Sequence, residues 1–171
     1  MPSRRPDHSE FADYYLTYVG KVPDGDVRGT LRDQATAARE MLEQIPESRA
    51  DHRYGPDKWS IRQVVSHIND TERLFTFRAF WFARALEESL PSFDQDEAIK
   101  QSGADQRDWA GLIHEFVSIR SATLDLFDSL DIDAWQRRGM ASGNPFSVRA
   151  LAWITAGHVE HHLRLLRERY L

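Results

Sequence analysis

The 171-residue chain contains no cysteine. That absence removes disulfides, thiolate zinc fingers, iron–sulfur ligation and a cysteine nucleophile together, so any metal must be held by nitrogen and oxygen. No apolar run approaches the roughly 18 residues that a membrane-spanning helix needs. The start, Met1-Pro2-Ser3-Arg4-Arg5-Pro6-Asp7, lacks the apolar core of a secretory signal. The expectation is a cytoplasmic protein without membrane contact. Positive charge is not in excess either: 22 Lys and Arg stand against 27 Asp and Glu, a formal net charge of -5. That balance argues against nucleic acid as a partner. There is no Gly-rich phosphate loop, no Gly-x-Ser-x-Gly and no dinucleotide fingerprint. What is present is 41% hydrophobic residues, enough for one core of ordinary domain size, and seven histidines.

The hydrophobic period is helical nearly throughout, and four long segments emerge. The first runs from about Val27 to Ile45, with Asp24 and Asp26 as candidate N-caps and Pro46 as its stop. Residues 1–26 form an arm before it, rich in aromatics (Phe11, Tyr14, Tyr15, Tyr18), expected to pack across the single domain of residues 27–171. The second has the clearest start: Ser60 and Gln63 make a capping box, and Trp59 and Val64 a hydrophobic staple. It is predicted to run from Ile61 to about Leu86. Its second half is aromatic nearly all round, with Phe75, Phe77, Phe80, Trp81 and Phe82. Such a band needs cover from the arm or from a second subunit, and a homodimer is the expectation. A loop over 91–104 follows, with one short helix around Asp96–Lys100. The third helix begins near Asp105 and carries the stripe Trp109, Leu112, Ile113, Phe116, Thr123, Phe127 and Leu130. Residues 131–144 read as a loop. Ser147 caps the fourth helix, which reaches about Tyr170. The fold class is all-α: a four-helix bundle with long connecting loops and no convincing β-strand. Pattern alone leaves the order of helices around the bundle open.

On a wheel at about 100° per residue, His158 and His162 fall near the centre of the fourth helix's apolar sector, one turn apart and about 6 Å along the axis. Two imidazoles at this spacing can reach one metal ion from a single helix face. Burying both as neutral rings without a metal would leave four ring nitrogens seeking partners, at roughly 1–3 kcal/mol for each one unsatisfied. His161 lies on the flank of the same sector. His67, near the core stripe of the second helix, supplies a third nitrogen. Three protein ligands with open positions is the catalytic pattern for zinc. Asp70, one turn after His67, is the sole candidate for a catalytic base or a group that orients a ligand; a surface carboxylate is its other reading. Arg78 and Arg120 interrupt apolar stripes, where an ion pair with Glu72, Asp70 or Asp125 is preferred over an anion-binding edge to a pocket. Arg149, in the first turn of the fourth helix, reads as a surface residue. His8, His52 and His114 read as solvated.

Three stretches carry a resemblance: Tyr54-Gly55-Pro56-Asp57-Lys58-Trp59-Ser60-Ile61 with His67-Ile68-Asn69-Asp70-Thr71-Glu72-Arg73; Ser92-Phe93-Asp94-Gln95-Asp96; and Trp153-Ile154-Thr155-Ala156-Gly157-His158-Val159-Glu160-His161-His162. Together they resemble the DinB-like (YfiT-like) metal-binding superfamily from about Arg28 to Leu171. The resemblance implies a four-helix bundle, often dimeric, holding one divalent metal ion through three histidines; the matching positions are His67, His158 and His162. Characterised relatives include thiol-dependent S-transferases using bacillithiol or mycothiol and a mycothiol-dependent isomerase. The expected function is therefore metal-dependent activation of a low-molecular-weight thiol for S-transfer to a small molecule. A metal-dependent hydrolase using bound water and a non-catalytic metal- or small-molecule-binding stress protein are the alternatives. Three imidazoles suit zinc and nickel alike.

Overall fold

The structure, a computed structural model, describes residues 4–171. Four long helices dominate: α2 (Val27–Glu43), α3 (Ile61–Ala83), α5 (Trp109–Asp128) and α7 (Val148–Arg169), with the short helix α1 (Leu16–Val19) ahead of them and the short helices α4 (Gln95–Gln101) and α6 (Ile132–Gln136) between them. Their ends follow local chemistry. The Ser60 hydroxyl accepts from Gln63 N at 3.1 Å while Ser60 N donates to Gln63 Oε1 at 3.0 Å, closing the capping box of α3. Ser147 accepts from Ala150 N at 2.9 Å at the start of α7, and Asp26 from Arg28 N at 3.0 Å at the start of α2. The third long helix starts later than its pattern predicts, because Asp108 takes the cap and residues Ala104–Gln106 form a separate 3₁₀ turn. The second ends earlier, at Ala83, where Ala85 turns to a positive φ of 55°.

Helix α3 packs against α5 and α7, and α2 packs against the same two. Around the bundle the order is therefore α2–α5–α3–α7. Consecutive helices α2 and α3 sit on one diagonal and α5 and α7 on the other, so the connections over 44–60 and 129–147 cross the bundle ends. The second of these corrects two expectations. Residues 131–144 are not simply a loop, and the chain does contain strands: α6 is followed by β1 (Arg138–Ala141) and β2 (Asn144–Ser147), an antiparallel hairpin turning at Ser142-Gly143. Leu90 bridges to Ala141 alongside it. No described helix is long and apolar enough to cross a membrane.

Two apolar clusters fill the bundle. One gathers Phe75, Phe82, Phe127, Trp135, Phe146, Leu151 and Trp153; the other gathers Ile61, Val65, Ile68, Leu112, Phe116, Val159 and Leu163. Polar residues sit between them. Glu72 on α3 and Arg120 on α5, both fully buried, form a bidentate pair at 2.7 and 2.8 Å, and Arg120 also donates to Leu31 O and Gln34 Oε1. The ion-pair expectation for Arg120 thus holds. Arg149 does not lie at the surface: it is buried and paired with Glu10 of the arm, which also accepts from Ser147 Oγ at 2.6 Å. The arm runs over α7. Gly157 makes this possible, since a Cβ there would lie 2.0 Å from the Tyr18 carbonyl oxygen.

Candidate metal centre

His67 comes from the second turn of α3, and His158 and His162 from successive turns of α7, the helix packed against it. The α7 pair is there because four residues make just over one turn. His67 joins them because the stripe of α3 (Val64, Ile68, Phe75) is pressed into the same core. All three rings are buried. His67 Nε2 lies 3.0 Å from His158 Nε2, and His162 Nε2 lies 3.1 Å from it; the three nitrogens are within 4.8 Å of one another.

Burial pushes the His67 pKa down to about 4 and those of His158 and His162 well below the usual histidine value, so all three rings are neutral at neutral pH. A neutral imidazole has one donor and one acceptor nitrogen. His158 Nε2 faces two neighbours yet carries at most one proton or one lone pair, so the three Nε2 atoms cannot satisfy one another by hydrogen bonding. Nitrogens bound to one ion at about 2.0–2.1 Å are separated by roughly 3 Å, and the observed contacts match. A divalent metal fits this donor set. With the lone pairs turned inward, the proton of His67 sits on Nδ1, 3.3 Å from Thr71 Oγ1, which orients the ring. His162 Nδ1 has no partner among the described residues, and its ring is held by packing against His67 and His161.

The rings of His67 and His158 face a cavity of about 220 Å³. Its far wall comes from elements that spacing could not connect: Tyr14, Tyr15 and Tyr18 of the arm, Phe93 and Gln95 ahead of and in α4, and Ser142 of the hairpin turn. Tyr18 packs edge-on against both His158 and His161, with centroids 5.3 and 5.4 Å apart. The only sequence signals for these groups are the aromatic richness of the arm and the Ser92–Asp96 stretch.

Residues 30–166 match the family model of the DinB superfamily. The chain belongs to that superfamily. No curated protein matches it. Among solved structures, YfiT from Bacillus subtilis, a probable metal-dependent hydrolase with an unusual four-helix bundle topology, superposes with a TM-score of 0.67 at 16% identity, covering 96% of this chain and 93% of that one. A mycothiol-dependent maleylpyruvate isomerase superposes with a TM-score of 0.67 at 13% identity, covering 85% of this chain and 61% of that one. At these identities the likeness is one of fold. The topology of this DinB-superfamily bundle, with consecutive helices on diagonals, is what brings α3 and α7 side by side.

Asp70 does not join the histidines. Its half-buried carboxylate lies 3.5 Å from Arg73 and senses Glu115 and Arg107, and it is not part of the cavity wall. Burial raises its pKa. His161 points along the flank of α7, half-buried against Tyr18, outside the trio. Arg78 departs from the ion-pair expectation. Its guanidinium donates to Pro91 O at 3.1 Å and Ser142 Oγ at 2.9 Å and meets no carboxylate among the described residues, because Glu72 faces Arg120 instead.

Proposed function

We propose that this protein is a metal-dependent enzyme that activates a low-molecular-weight thiol and transfers it to a small electrophile. His67, His158 and His162 hold one divalent ion, zinc or nickel by donor type. The observation that carries the reading is the convergence of three buried, neutral imidazoles beside a cavity whose wall contains no carboxylate among the described residues. When bound, a divalent ion in a three-nitrogen site with open positions supplies the Lewis acidity that keeps a thiol deprotonated near neutral pH. The residues of the chain prepare the rest. Burial keeps the three rings free of protons, so their lone pairs are available without competition. Thr71 fixes one ring. The arm tyrosines cover the cavity and limit water at the site. The chain has no cysteine, so the sulfur arrives with the cosubstrate.

A hydrolase of this architecture calls for a general base beside the bound water. Asp70 is the one candidate, and its place outside the cavity wall weighs against that alternative. The thiol reading also puts the reaction in the cytoplasm, where small thiols stay reduced.

The test has two stages. Metal analysis of purified protein should return one zinc or nickel per chain, and His158→Ala should lose it while the bundle stays folded on its apolar stripes, where each buried Leu, Ile or Phe is worth about 1.5–3 kcal/mol. Conjugation assays with small thiols and model electrophiles should then show activity that begins only when thiol is added and is lost in His158→Ala. Turnover of an ester or amide by metal-loaded protein without thiol would overturn this reading in favour of the hydrolase.

A further inference from the structure

Four arginines are buried among the described residues: Arg62, Arg78, Arg120 and Arg149. Three of them have carboxylate partners. Arg62 meets Glu47 and Asp51, Arg120 meets Glu72, and Arg149 meets Glu10. Arg78 is 1% exposed and has none. Its Nη2 makes the two hydrogen bonds to Pro91 O and Ser142 Oγ, while Nε, fully enclosed, has no partner among the described residues. The Tyr15 hydroxyl beside it is a neutral hydrogen-bonding group and not a countercharge, since burial raises its pKa. A buried guanidinium without an anion is costly, and this protein avoids that cost at its three other buried arginines.

Arg78 also lines the cavity that His67 and His158 face. It lies eleven residues after His67 on α3. That is three turns along the same face and about 16 Å of rise, shortened by an arginine side chain that leans back toward the helix N-terminus. The cavity therefore has His67 and His158 of the histidine trio at one end and an unneutralised cation at the other. Leu74 and Phe75 line the stretch between on the same helix.

We propose that Arg78 anchors a carboxylate of the small molecule that occupies this cavity. The inference rests on reading the cavity as the substrate site and adds the substrate's chemical class: a carboxylic acid whose reacting end lies toward the histidines. A single cation with one serine hydroxyl beside it matches a monoanion. A phosphate dianion would call for further positive charge, and the cavity wall contains no lysine and no second arginine. The carboxylate belongs either to the thiol cosubstrate or to the electrophile, and the experiment separates the two.

Calorimetric titrations compare acid and alcohol probes of equal length on the full-length protein. Hexanoate against hexanol is measured on metal-free protein. 6-Mercaptohexanoate against 6-mercaptohexanol is measured on zinc-loaded protein. The acid should bind roughly tenfold to hundredfold more tightly than the alcohol, as expected of a charge-assisted hydrogen bond in a dry site. Arg78→Met should abolish that preference, and Arg78→Lys should keep part of it. Circular dichroism checks the fold of both variants. If the acid on the thiol is the natural arrangement, 6-mercaptohexanoate outbinds hexanoate on zinc-loaded protein. If the acid sits on the electrophile, hexanoate and 2-mercaptoethanol bind together without competition. Equal binding of acid and alcohol to the wild type, or a preference that survives Arg78→Met, would overturn the proposal. Failure of the protein to take up zinc would sink the metal reading instead, and the hexanoate comparison on metal-free protein would still decide the role of Arg78.

Discussion

The histidine cluster should make the metal-free protein unusually sensitive to mild acid. In the unfolded chain a histidine titrates near 6.5, whereas in the fold His67 is held at about 4 and His158 and His162 well below the usual histidine value, by burial first and by neighbouring histidines, His161 among them, second. The native state therefore binds fewer protons than the unfolded state once pH drops below 6.5. Stability from this source is complete above that value and drains away as pH falls toward the folded pKa values. At about pH 5 the unfolded His67 ring has gained about 2 kcal/mol of protonation free energy that its folded counterpart lacks, and His158 and His162 act in the same direction. A loss of at least about 2 kcal/mol is a sizeable part of a domain stability of about 5–15 kcal/mol. Asp70, whose pKa burial raises, acts in the opposite sense at the acid end, and His161 in the same sense as the trio. The assay is urea unfolding of chelator-treated protein at a series of pH values from about 7.5 to about 5. With a urea slope of about 2 kcal/mol per molar, the midpoint should fall by about 1 M or more. His67→Gln should reduce that pH dependence by the share His67 contributes. A midpoint that stays level from about pH 7.5 to 5 would refute the reasoning, because the rings would then titrate as they do in water.

Other consequences follow from packing. Gly157→Ala places a methyl group on the Tyr18 carbonyl, so the arm must lift from α7 at a cost of about 1–3 kcal/mol, read as a lower melting temperature and faster proteolysis within residues 4–26. Glu72→Ala leaves the Arg120 guanidinium buried without its anion and should destabilise the bundle by about 3–5 kcal/mol in urea, whereas replacing both partners with apolar residues should recover much of the loss. Phe75 and Phe82 of the aromatic band are buried within the chain, but Phe77 is 47% and Phe80 39% exposed, beside an apolar groove formed with Ile119 and Ala122 of α5. A homodimer through this face is expected by light scattering and should dissociate in a Phe77→Glu, Phe80→Glu double variant; a wild type that is monomeric at all concentrations would count against it.

Much of this molecule is legible in its residues because the chemistry involved is local. The Ser60/Gln63 box, the Ser147 and Asp26 caps and the three/four spacing of Trp109, Leu112, Ile113 and Phe116 all act within a turn or two of helix, and the helices form where they point. The one-turn spacing of His158 and His162 is likewise a property of α7 alone. The hairpin at 138–147 is not legible in this way. Its four-residue strands, Arg138-Gly139-Met140-Ala141 and Asn144-Pro145-Phe146-Ser147, show no clean alternation, and they exist because they pair with each other and pack Gly139 against the Phe82 ring.

Charged residues divide along the same line. Arg149 reads as a surface residue only while its partner is unknown, and that partner, Glu10, is 139 residues away. Arg78 and Arg120 look alike in sequence, each a cation in an apolar stripe. Glu72 lies six residues before Arg78 on α3, about 120° away around the helix, and it pairs instead with Arg120 of the neighbouring α5. Long-range geometry also brings His67 to 3.0 Å from a ring 91 residues later in the chain. It sets the arm tyrosines over that cluster and leaves Arg78 as the buried cation without an anion. Helix formation and capping are decided over a few residues, so sequence alone determined them. The convergence of nitrogens, the wall of the cavity and the pairing of buried charge depend on which helices become neighbours, and only the tertiary structure decided that, through loops whose crossing leaves no periodic trace.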